Sequence, residues 1–546
     1  MNNILLLTAI TLLTNSTARL EYKLPSAEEA IYGLGDNDVR QLNMRGWEGD
    51  LRPRNVGDGL PVVVGVSGWG IYVDDPAVFH FREKDGVITF ENTAGKGFKY
   101  YLIKSDSIDG VVGEIRKISG QVKKMPKWYY GFWQSKERYQ SQAEIVGVVK
   151  KYRELGIPLT GIVQDWQYWG GDNTWNAMEF LNPAFPDPKQ MVEDIHAMDC
   201  KLALSIWQSF GPDTKAYKDF AARGLLLPFI TWPKHSGARL INNYLEEARE
   251  LYFQYLENLI ALGVDAWWMD STDPDHFEKP EDWNYEVLPG ETWRMQRGNY
   301  PVNAVSGVCE RLERKYPDRE FFIYTRGAGL GQQKFRCAVW GGDVASSWEV
   351  LDKQIPAGIN YSLTGNPHWN CDLGGFFAAW GAPKGAPKRS VESEEWRELY
   401  VRWMQLGTFL PMMRSHGCQV PREIYLYGKA GEPVYDALVN AVKLRYELMD
   451  YILKTEKWVV EEGGSFMRPL AADFPEDRET WSIYREFLFG RDLLVSPVLE
   501  RGAKTWRTYL PKGAKWQCAK TGKVFDGGQW IEYPVDISSQ PYFKRK

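Results

Sequence analysis

Two aspartates each stand where an apolar, aromatic segment of the chain ends. The run at 263–269 stops at Asp270, and the run at 337–341 is followed by Gly342 and Asp343. Short apolar runs of this kind predict buried strands, with the acid as the first polar residue beyond each strand. A facing pair of carboxyl groups, one ionised and one protonated, is an arrangement that cleaves glycosidic bonds. A carboxyl separation of ~5–5.5 Å would predict retention of anomeric configuration, and ~6.5–9.5 Å inversion.

The elements that would position these acids alternate between strands and helices. Beyond residue 125 the chain contains eight apolar strand candidates, most of them separated by amphipathic helical stretches: 128–133, 160–164, 202–207, 264–269, 320–325, 337–341, 358–364 and 408–413. This alternation predicts the α/β class and a (β/α)8 TIM barrel.

Four other polar residues follow candidate strands of the same barrel. Asp165 follows the second strand, Arg326 the fifth and His416 the eighth, and Asp372 lies beyond the seventh. The carboxyl ends of parallel barrel strands ring one opening, so these four are expected to converge on Asp270 and Asp343. Any one aspartate could equally be a turn or helix cap, because Asp is common in both. Six polar residues in one ring favour a functional cleft.

Two β-rich regions flank the predicted barrel. We expect an N-terminal β-sandwich domain at 19–124, the catalytic barrel at 125–461 and a small C-terminal β-sandwich domain at 462–546, because both flanks alternate apolar and polar residues between turn signals. Residues 1–18 form either a signal peptide, with an apolar core at 4–13 and small residues at 15–18, or a first strand. The first alternative predicts export to the periplasm or medium; the second predicts a cytoplasmic protein.

Composition narrows the range of partners. A formal net charge of -5 without a long basic run argues against nucleic acid, and no apolar run is long enough to span a membrane. The 24 Trp and 29 Tyr offer flat faces that suit sugar rings, which predicts a neutral oligosaccharide or glycoside as substrate. The six cysteines form no CxxC pair, and the glycine run beginning at Gly327 has Gln332 where a dinucleotide loop needs glycine. We therefore expect no metal and no cofactor; the oligomeric state stays open.

Sequence motifs along most of the chain resemble glycoside hydrolase family 31. The segment WWMDSTDPD at 267–275 resembles the nucleophile motif of that family, and WGGD at 340–343 resembles its acid/base motif. Further similar segments occur in the same order: YGLG at 32–35, QDWQYW at 164–169, FPDP at 185–188, WNCDLGGF at 369–376, RSHG at 414–417 and FGRDLLVSP at 489–497.

The resemblance implies a role for each matching residue. Asp270 would attack the anomeric carbon and Asp343 would donate and then accept a proton, which is the chemistry of a retaining, exo-acting α-glycosidase. Asp165 would hold distal hydroxyls of the sugar, and Arg326 and His416 would donate hydrogen bonds to its ring hydroxyls. The remaining substrate-binding residues would be Asp372, whose role is open, and the aromatic walls Trp166, Trp207, Trp268 and Trp340; for Trp207 plain barrel packing is an equal alternative.

The chain departs from the family pattern near both acids. Asp273 stands where many members have Glu, Gly327 where Ser is usual, and residues 334–336 read Lys-Phe-Arg where Arg-Tyr-Gly is usual. These changes leave open an inactive sugar-binding protein. The form of the motif at 164–169 resembles the α-xylosidase branch, in which bulky aromatics crowd the space that a hexose CH2OH needs. We therefore expect an α-xylosidase acting on oligosaccharides, with α-galactosidase and α-glucosidase as alternatives; linkage and chain length stay open.

Overall fold

The structure is a computed structural model that describes residues 9–273, 282–380, 384 and 388–546. The N-terminal region consists of antiparallel strands followed by one helix: β1 (Ala9–Asn15), β2 (Arg19–Lys23), β3 (Ile31–Gly35), β4 (Glu48–Leu51), β5 (Gly59–Gly65), β6 (Trp69–Asp74), β7 (Phe79–Lys84), β8 (Val87–Asn92), β9 (Phe98–Lys104) and α1 (Ile108–Ser119). They form a five-stranded sheet in the order β1-β9-β6-β5-β3 and a four-stranded sheet in the order β2-β8-β7-β4.

The region predicted as a leader or first strand is described only in part. Residues 1–8 lie outside the described residues, whereas 9–15 form β1 and pair antiparallel with the whole of β9. Between the two N-terminal sheets, alternate side chains such as Phe79, Phe81 and Phe90 point inward and form an apolar core. The loop between β4 and β5 leaves this sandwich and reaches the barrel.

The central region alternates strands and helices. In chain order these are β10 (Phe132–Gln134), α2 (Gln142–Glu154), β11 (Gly161–Gln164), α3 (Pro188–Ala197), β12 (Lys201–Trp207), β13 (Ser209–Phe210), α4 (Lys215–Ala222), β14 (Leu226–Ile230), β15 (Arg239–Ile241), α5 (Glu246–Ile260), β16 (Ala266–Asp270), β17 (Glu286–Leu288), β18 (Glu291–Thr292), α6 (Trp293–Gln296), α7 (Asn299–Lys315), β19 (Ile323–Thr325), β20 (Cys337–Trp340), α8 (Trp348–Ser362), β21 (Trp369–Asn370), α9 (Glu394–Gly407), β22 (Met413–Ser415), α10 (Pro433–Glu447) and α11 (Met449–Glu462).

Eight of these strands form a nearly closed parallel barrel. Their order is β21-β20-β19-β16-β12-β11-β10-β22, and a parallel bridge between Leu373 and Ser415 links the two ends of the sheet. Side-chain caps begin two of the barrel helices: the Ser141 side chain accepts a hydrogen bond from the Glu144 N–H at the start of α2, and Asp187 caps α3. The predicted fold class is confirmed.

The seventh predicted strand was wrong. Residues 358–364 lie mostly in α8, and the seventh barrel strand is β21 at Trp369–Asn370. Gly358 packs so tightly on the Trp369 ring that an added Cβ would lie 2.6 Å from it. The second half of this helix, from Gln354 to Ser362, is buried throughout, and periodicity alone cannot tell such a short buried helical segment from a buried strand. The first and eighth strands also lie later than predicted, at 132–134 and 413–415, because a 3-10 helix at 127–130 and the turns that follow α9 occupy the earlier positions.

An antiparallel sheet inserted after β12 rises over the barrel mouth. It has the order β13-β15-β14 and carries Trp232 in the connection between β14 and β15. The C-terminal region adds β23 (Met467–Arg468), β24 (Phe487–Phe489), β25 (Leu493–Val495), β26 (Thr505–Leu510), β27 (Lys515–Cys518), β28 (Val524–Asp526), β29 (Gln529–Pro534) and β30 (Tyr542–Arg545), in a six-stranded and a two-stranded sheet. Within the described ranges, no helix has the length and apolarity needed to cross a bilayer.

Candidate active site

A cavity of ≈ 630 Å³ opens at the carboxyl ends of the barrel strands. It is lined by Asn55, Val56, Glu137, Asp165, Trp166, Trp207, Trp232, Trp268, Asp270, Arg326, Asp343, Phe376, Phe377, Trp380, Cys418 and Gln419. Seven of these residues were predicted from the sequence as site residues. They come from the ends of five different strands, so the barrel brings them together as expected.

Asp270 is the last residue of β16 and is only 9% exposed. Its Oδ1 accepts a hydrogen bond of 2.6 Å from the backbone N–H of Ser271. Ser271 has φ +54, a left-handed conformation that is uncommon outside glycine and that turns the chain sharply away from the strand. The acid is therefore held at the strand end by its own turn.

Arg326 joins both predicted catalytic acids. Its Nη1 lies 2.8 Å from Asp343 Oδ2 and 3.4 Å from Asp270 Oδ1. Its Nε lies 3.1 Å from both carboxylate oxygens of Asp273, which is fully buried. One guanidinium thus contacts three carboxyl groups, and its planar, rigid fork fixes their relative positions.

The shared nitrogen limits how far apart the two acids can be. Because Nη1 is 3.4 Å from one oxygen and 2.8 Å from the other, Asp270 Oδ1 and Asp343 Oδ2 are at most about 6.2 Å apart. This bound lies below the separation of ~6.5–9.5 Å that inverting glycosidases need to admit a water molecule. The geometry favours direct attack by one carboxylate.

Burial dominates the electrostatics of Asp270. Loss of hydration raises the pKa of the Asp270 carboxyl to about 7; the positive charge of Arg326 opposes this shift, and the nearby Asp343 and Asp273 add to it. The Asp270 carboxyl therefore becomes ionised only near neutral pH, and it must be ionised to act as a nucleophile.

Asp343 is held from an unexpected direction. The Asn55 side chain, from the loop between β4 and β5, donates from Nδ2 to Asp343 Oδ2 at 2.8 Å and accepts from the Asp343 backbone N–H at 2.9 Å. Gly342 makes the approach possible, since an added Cβ would lie 2.3 Å from the backbone nitrogen of Val56. The N-terminal region thus forms part of the cavity.

Asp165 is buried at the end of β11 and lines the cavity. Loss of hydration raises the pKa of its carboxyl well above the usual range, and Asp270 adds to this shift. The adjacent Trp166 donates from its indole nitrogen to Glu137 at 3.1 Å, and Arg138 stacks over the same indole ring. This side of the cavity combines carboxyl groups with aromatic faces.

Four tryptophans form one cluster on the Asp165 side. Trp175 lies behind the wall with its ring centroid 5.4 Å from Trp166, 4.9 Å from Trp207 and 5.7 Å from Trp232. Trp207 and Trp232 stack with ring centroids 6.2 Å apart. Trp207 therefore lines the cavity besides packing in the barrel. The cluster makes this wall rigid and apolar.

Three predicted site residues lie beneath the cavity floor. His416 stands edge-on to Trp268 and stacks on Phe376, with its Nδ1 2.7 Å from the Ser135 hydroxyl. Burial lowers the pKa of its imidazole well below the usual value, so this ring is neutral. Its Nε2 is buried and has no hydrogen-bond partner among the described residues.

Asp372 and Trp340 are buried to the same extent as His416. Asp372 is fully buried and forms an ion pair with Arg414. Burial raises the pKa of the Asp372 carboxyl to about 7, against the pull of Arg414. Trp340 packs against Trp268 and supports it from behind. Neither residue lines the cavity, so here they support the floor.

The departures from the family pattern differ in their distance from the acids. An added Cβ on Gly327 would lie 2.7 Å from the backbone nitrogen of Asp273, so glycine is required where the two loops touch. The Gly327 N–H also donates to the Thr272 hydroxyl at 3.0 Å. Lys334 instead packs at the end of α1, near Gly120, away from the cavity. Of these changes, only those at Gly327 and Asp273 lie at the loop that follows Asp270.

Several lining residues were missed from the sequence, among them Asn55, Glu137 and Trp232. Glu137 follows the first strand and could have been found by extending the search for strand-end polar residues to β10. Asn55 and Trp232 belong to loops outside the strand-end pattern. Within the ranges that the structure describes, no group of His, Cys, Asp and Glu could hold a metal ion.

Comparison with known proteins identifies relatives across the whole chain. The "Glycosyl hydrolases family 31 TIM-barrel domain" matches residues 122–455, and the "Glycosyl hydrolase family 31 C-terminal domain" matches 463–546. An α-xylosidase of Saccharolobus solfataricus is 36% identical over 521 residues, covering 94% of this chain and 67% of that protein.

Relatives with other activities also match. Alpha-glucosidase 2 of Bacillus thermoamyloliquefaciens is 24% identical over 96% of this chain and 67% of its own length. Among solved structures, a family 31 α-xylosidase from a soil metagenome, complexed with xylose, superposes with a TM-score of 0.89 at 27% identity. The superposition covers 97% of this chain and 79% of the chain of the metagenome enzyme.

Proposed function

Since the chain belongs to glycoside hydrolase family 31, we propose that it is a retaining, exo-acting α-glycosidase with Asp270 as nucleophile and Asp343 as acid/base. One observation carries this proposal: both carboxyl groups contact the same guanidinium, at the mouth of one aromatic-walled cavity. The upper bound of about 6.2 Å on the distance between Asp270 Oδ1 and Asp343 Oδ2 supports a retaining pair over an inverting pair, whose carboxyl groups lie ~6.5–9.5 Å apart.

The reaction would proceed in two displacements. Asp343 gives its proton to the glycosidic oxygen as the bond to the anomeric carbon breaks, and an ionised oxygen of Asp270 attacks that carbon from the opposite face. A water molecule then displaces Asp270 and passes a proton to Asp343, which restores both groups and releases the sugar with its original configuration. Arg326 would hold both acids in register and stabilise the ionised Asp270.

We propose a xyloside as the preferred substrate. If Asp165 binds distal hydroxyls of the sugar, the neighbouring wall is where the substituent on C5 of a hexose would lie. Trp166, Trp207 and Trp232 occupy that wall, and Trp175 supports them from behind. A rigid indole cluster favours a pentose, which has hydrogen at this position, because a well-packed aromatic wall yields little to an added CH2OH group.

An α-glucosidase is the second candidate. The relative of Bacillus thermoamyloliquefaciens carries that name and matches nearly the whole chain. In addition, Trp232 is 41% exposed and comes from an inserted sheet rather than a barrel strand. An outward movement of this ring would make room in the cavity for the CH2OH group of a hexose.

A panel of 4-nitrophenyl α-xyloside, α-glucoside and α-galactoside tests the specificity. We expect the highest kcat/KM on the α-xyloside, and proton NMR of the first product formed should show the α-anomer. A β-anomer would exclude the retaining mechanism. A higher kcat/KM on glucoside or galactoside would replace the proposed sugar without changing the proposed roles of the acids.

A further inference from the structure

The proposed acid/base residue, Asp343, is contacted by a side chain from outside the barrel. Asn55 uses its amide as a two-point clamp: Nδ2 donates to Asp343 Oδ2 at 2.8 Å, and Oδ1 accepts from the Asp343 N–H at 2.9 Å. Because one planar group binds both the backbone and the side chain of the same residue, it restricts the side-chain torsions of Asp343.

The loop that carries Asn55 is itself fixed to the barrel. Fully buried Arg297 donates from Nε and Nη2 to the Pro53 carbonyl, at 3.3 and 3.2 Å. At the other end of the loop, the Gly59 N–H donates to the Arg52 carbonyl at 3.1 Å and closes its base. Val56 packs against Gly342 so closely that no side chain fits there. The amide of Asn55 therefore reaches Asp343 from an anchored support.

Both side-chain donors reach the same oxygen of Asp343. Asn55 Nδ2 and Arg326 Nη1 each lie 2.8 Å from Oδ2. Within the described part of the chain, no hydrogen bond is made to Oδ1. A proton on Oδ2 would face two N–H donors, whereas a proton on Oδ1 meets neither. The proton of the acid form is thereby directed to Oδ1.

We propose that Asn55 is a positioning residue for general acid catalysis: it selects Oδ1 of Asp343 as the oxygen that protonates the leaving group and holds it in line with the scissile bond. This inference rests on the proposed role of Asp343. It also makes the N-terminal region a part of the catalytic apparatus, because the barrel by itself lacks this amide.

The dependence of rate on the leaving group tests this role. An alkyl α-glycoside needs protonation of its leaving oxygen, whereas the α-glycosyl fluoride of the same sugar leaves without it. For Asn55→Ala we expect kcat/KM on the alkyl glycoside to fall ~10- to 100-fold, the scale of a misplaced catalytic group. On the fluoride, kcat/KM should stay within about 3-fold of wild type.

A matched control is Asn43→Ala. Asn43 Oδ1 accepts from the Ile31 N–H at 3.1 Å, so this amide supports the same N-terminal sheets without lining the cavity. This variant should lower kcat/KM equally, and slightly, on both substrates. Thermal unfolding of both variants verifies that each is folded at the assay temperature.

The outcomes separate the two proposals. Equal losses on both substrates for Asn55→Ala, or no loss on either, would overturn the positioning role. Asp343→Ala serves as the reference: it should lose activity on the alkyl glycoside far more than on the fluoride. If Asp343→Ala lacks this selectivity, the proposed acid/base assignment fails, whereas a flat response of Asn55→Ala alone overturns only the inference about Asn55.

Discussion

Two arginine–aspartate clusters in the same barrel are built differently. Arg326 contacts Asp270, Asp273 and Asp343 beside the open cavity. Arg414 pairs with the single carboxylate of Asp372 in a fully buried site beneath the floor.

The surroundings of the two arginines explain the difference. The guanidinium of Arg414 lies 4.8 Å from the Trp268 ring centroid, 4.5 Å from that of Tyr324 and 5.5 Å from that of Trp340. These cation–π contacts, together with the ion pair to Asp372, offset the loss of hydration of the buried Arg414 charge. Around Arg326, neighbouring carboxylates instead raise the pKa of Asp270. The Arg326 cluster thus holds three mutually repelling carboxyl groups beside the cavity, whereas the Arg414 cluster is a balanced ion pair in the interior.

The largest difference between the two clusters is expected when the carboxylate of Asp270 is removed from the Arg326 cluster. Asp270→Asn should lower kcat/KM on the order of 10⁴-fold or more, because the amide cannot attack the anomeric carbon. The midpoint of thermal unfolding should stay the same or rise, since repulsion from Asp343 and Asp273 is relieved. Steady-state kinetics and calorimetry measure the two effects. Wild-type activity would refute the proposed role of Asp270. A large fall in the unfolding midpoint would contradict the proposed difference between the Arg326 cluster and the Arg414–Asp372 pair.

Removing one charge from the Arg414–Asp372 pair should instead lower the stability of the protein. Arg414→Met leaves Asp372 buried without its partner, and such a loss costs ~3–5 kcal/mol of folding free energy. Chemical denaturation would measure this change. In the double variant Arg414→Met/Asp372→Leu we expect most of the stability to return, because both charges are removed together. A double variant as unstable as the single one would contradict a balanced pair.

A smaller effect is expected at the cavity wall. Trp232→Ala opens space on the Asp165 side, so the ratio of kcat/KM for α-xyloside over α-glucoside should fall ~10-fold. Trp380→Ala is the matched control: Trp380 is 69% exposed, stacks on Phe377 and follows the seventh strand, across the barrel from the second and third. It should leave the ratio unchanged. Equal changes in both variants would show that the wall does not select the sugar.

The smallest effect concerns the pH dependence. Asp270 must be ionised to attack, and burial raises its pKa to about 7, so kcat/KM should fall as the pH drops below this value. The charge of Arg326 lowers this pKa. Arg326→Gln should therefore shift the acidic limb to higher pH, and Arg326→Lys, which keeps the charge, should shift it less. An acidic limb that moves to lower pH in Arg326→Gln would contradict this electrostatic role.

Sequence alone determined the barrel and identified seven of the residues that line its cavity. Apolar strands that end on Asp165, Asp270 and Arg326 are local features, and parallel barrel topology places such ends around one mouth. The seventh strand was misplaced because β21 has only two residues, whereas the buried helix α8 contains an apolar run of strand-like length.

Only the tertiary structure decided which of these residues face the cavity and what holds them. His416 and Asp372 follow strands as Asp270 does, yet the rings of Trp268 and Phe376 cover His416, and Asp372 is fully buried in its ion pair with Arg414. The contact between Asn55 and Asp343 joins residues 288 positions apart in the chain. No local pattern encodes such a contact, because it arises from the docking of the N-terminal sandwich on the barrel.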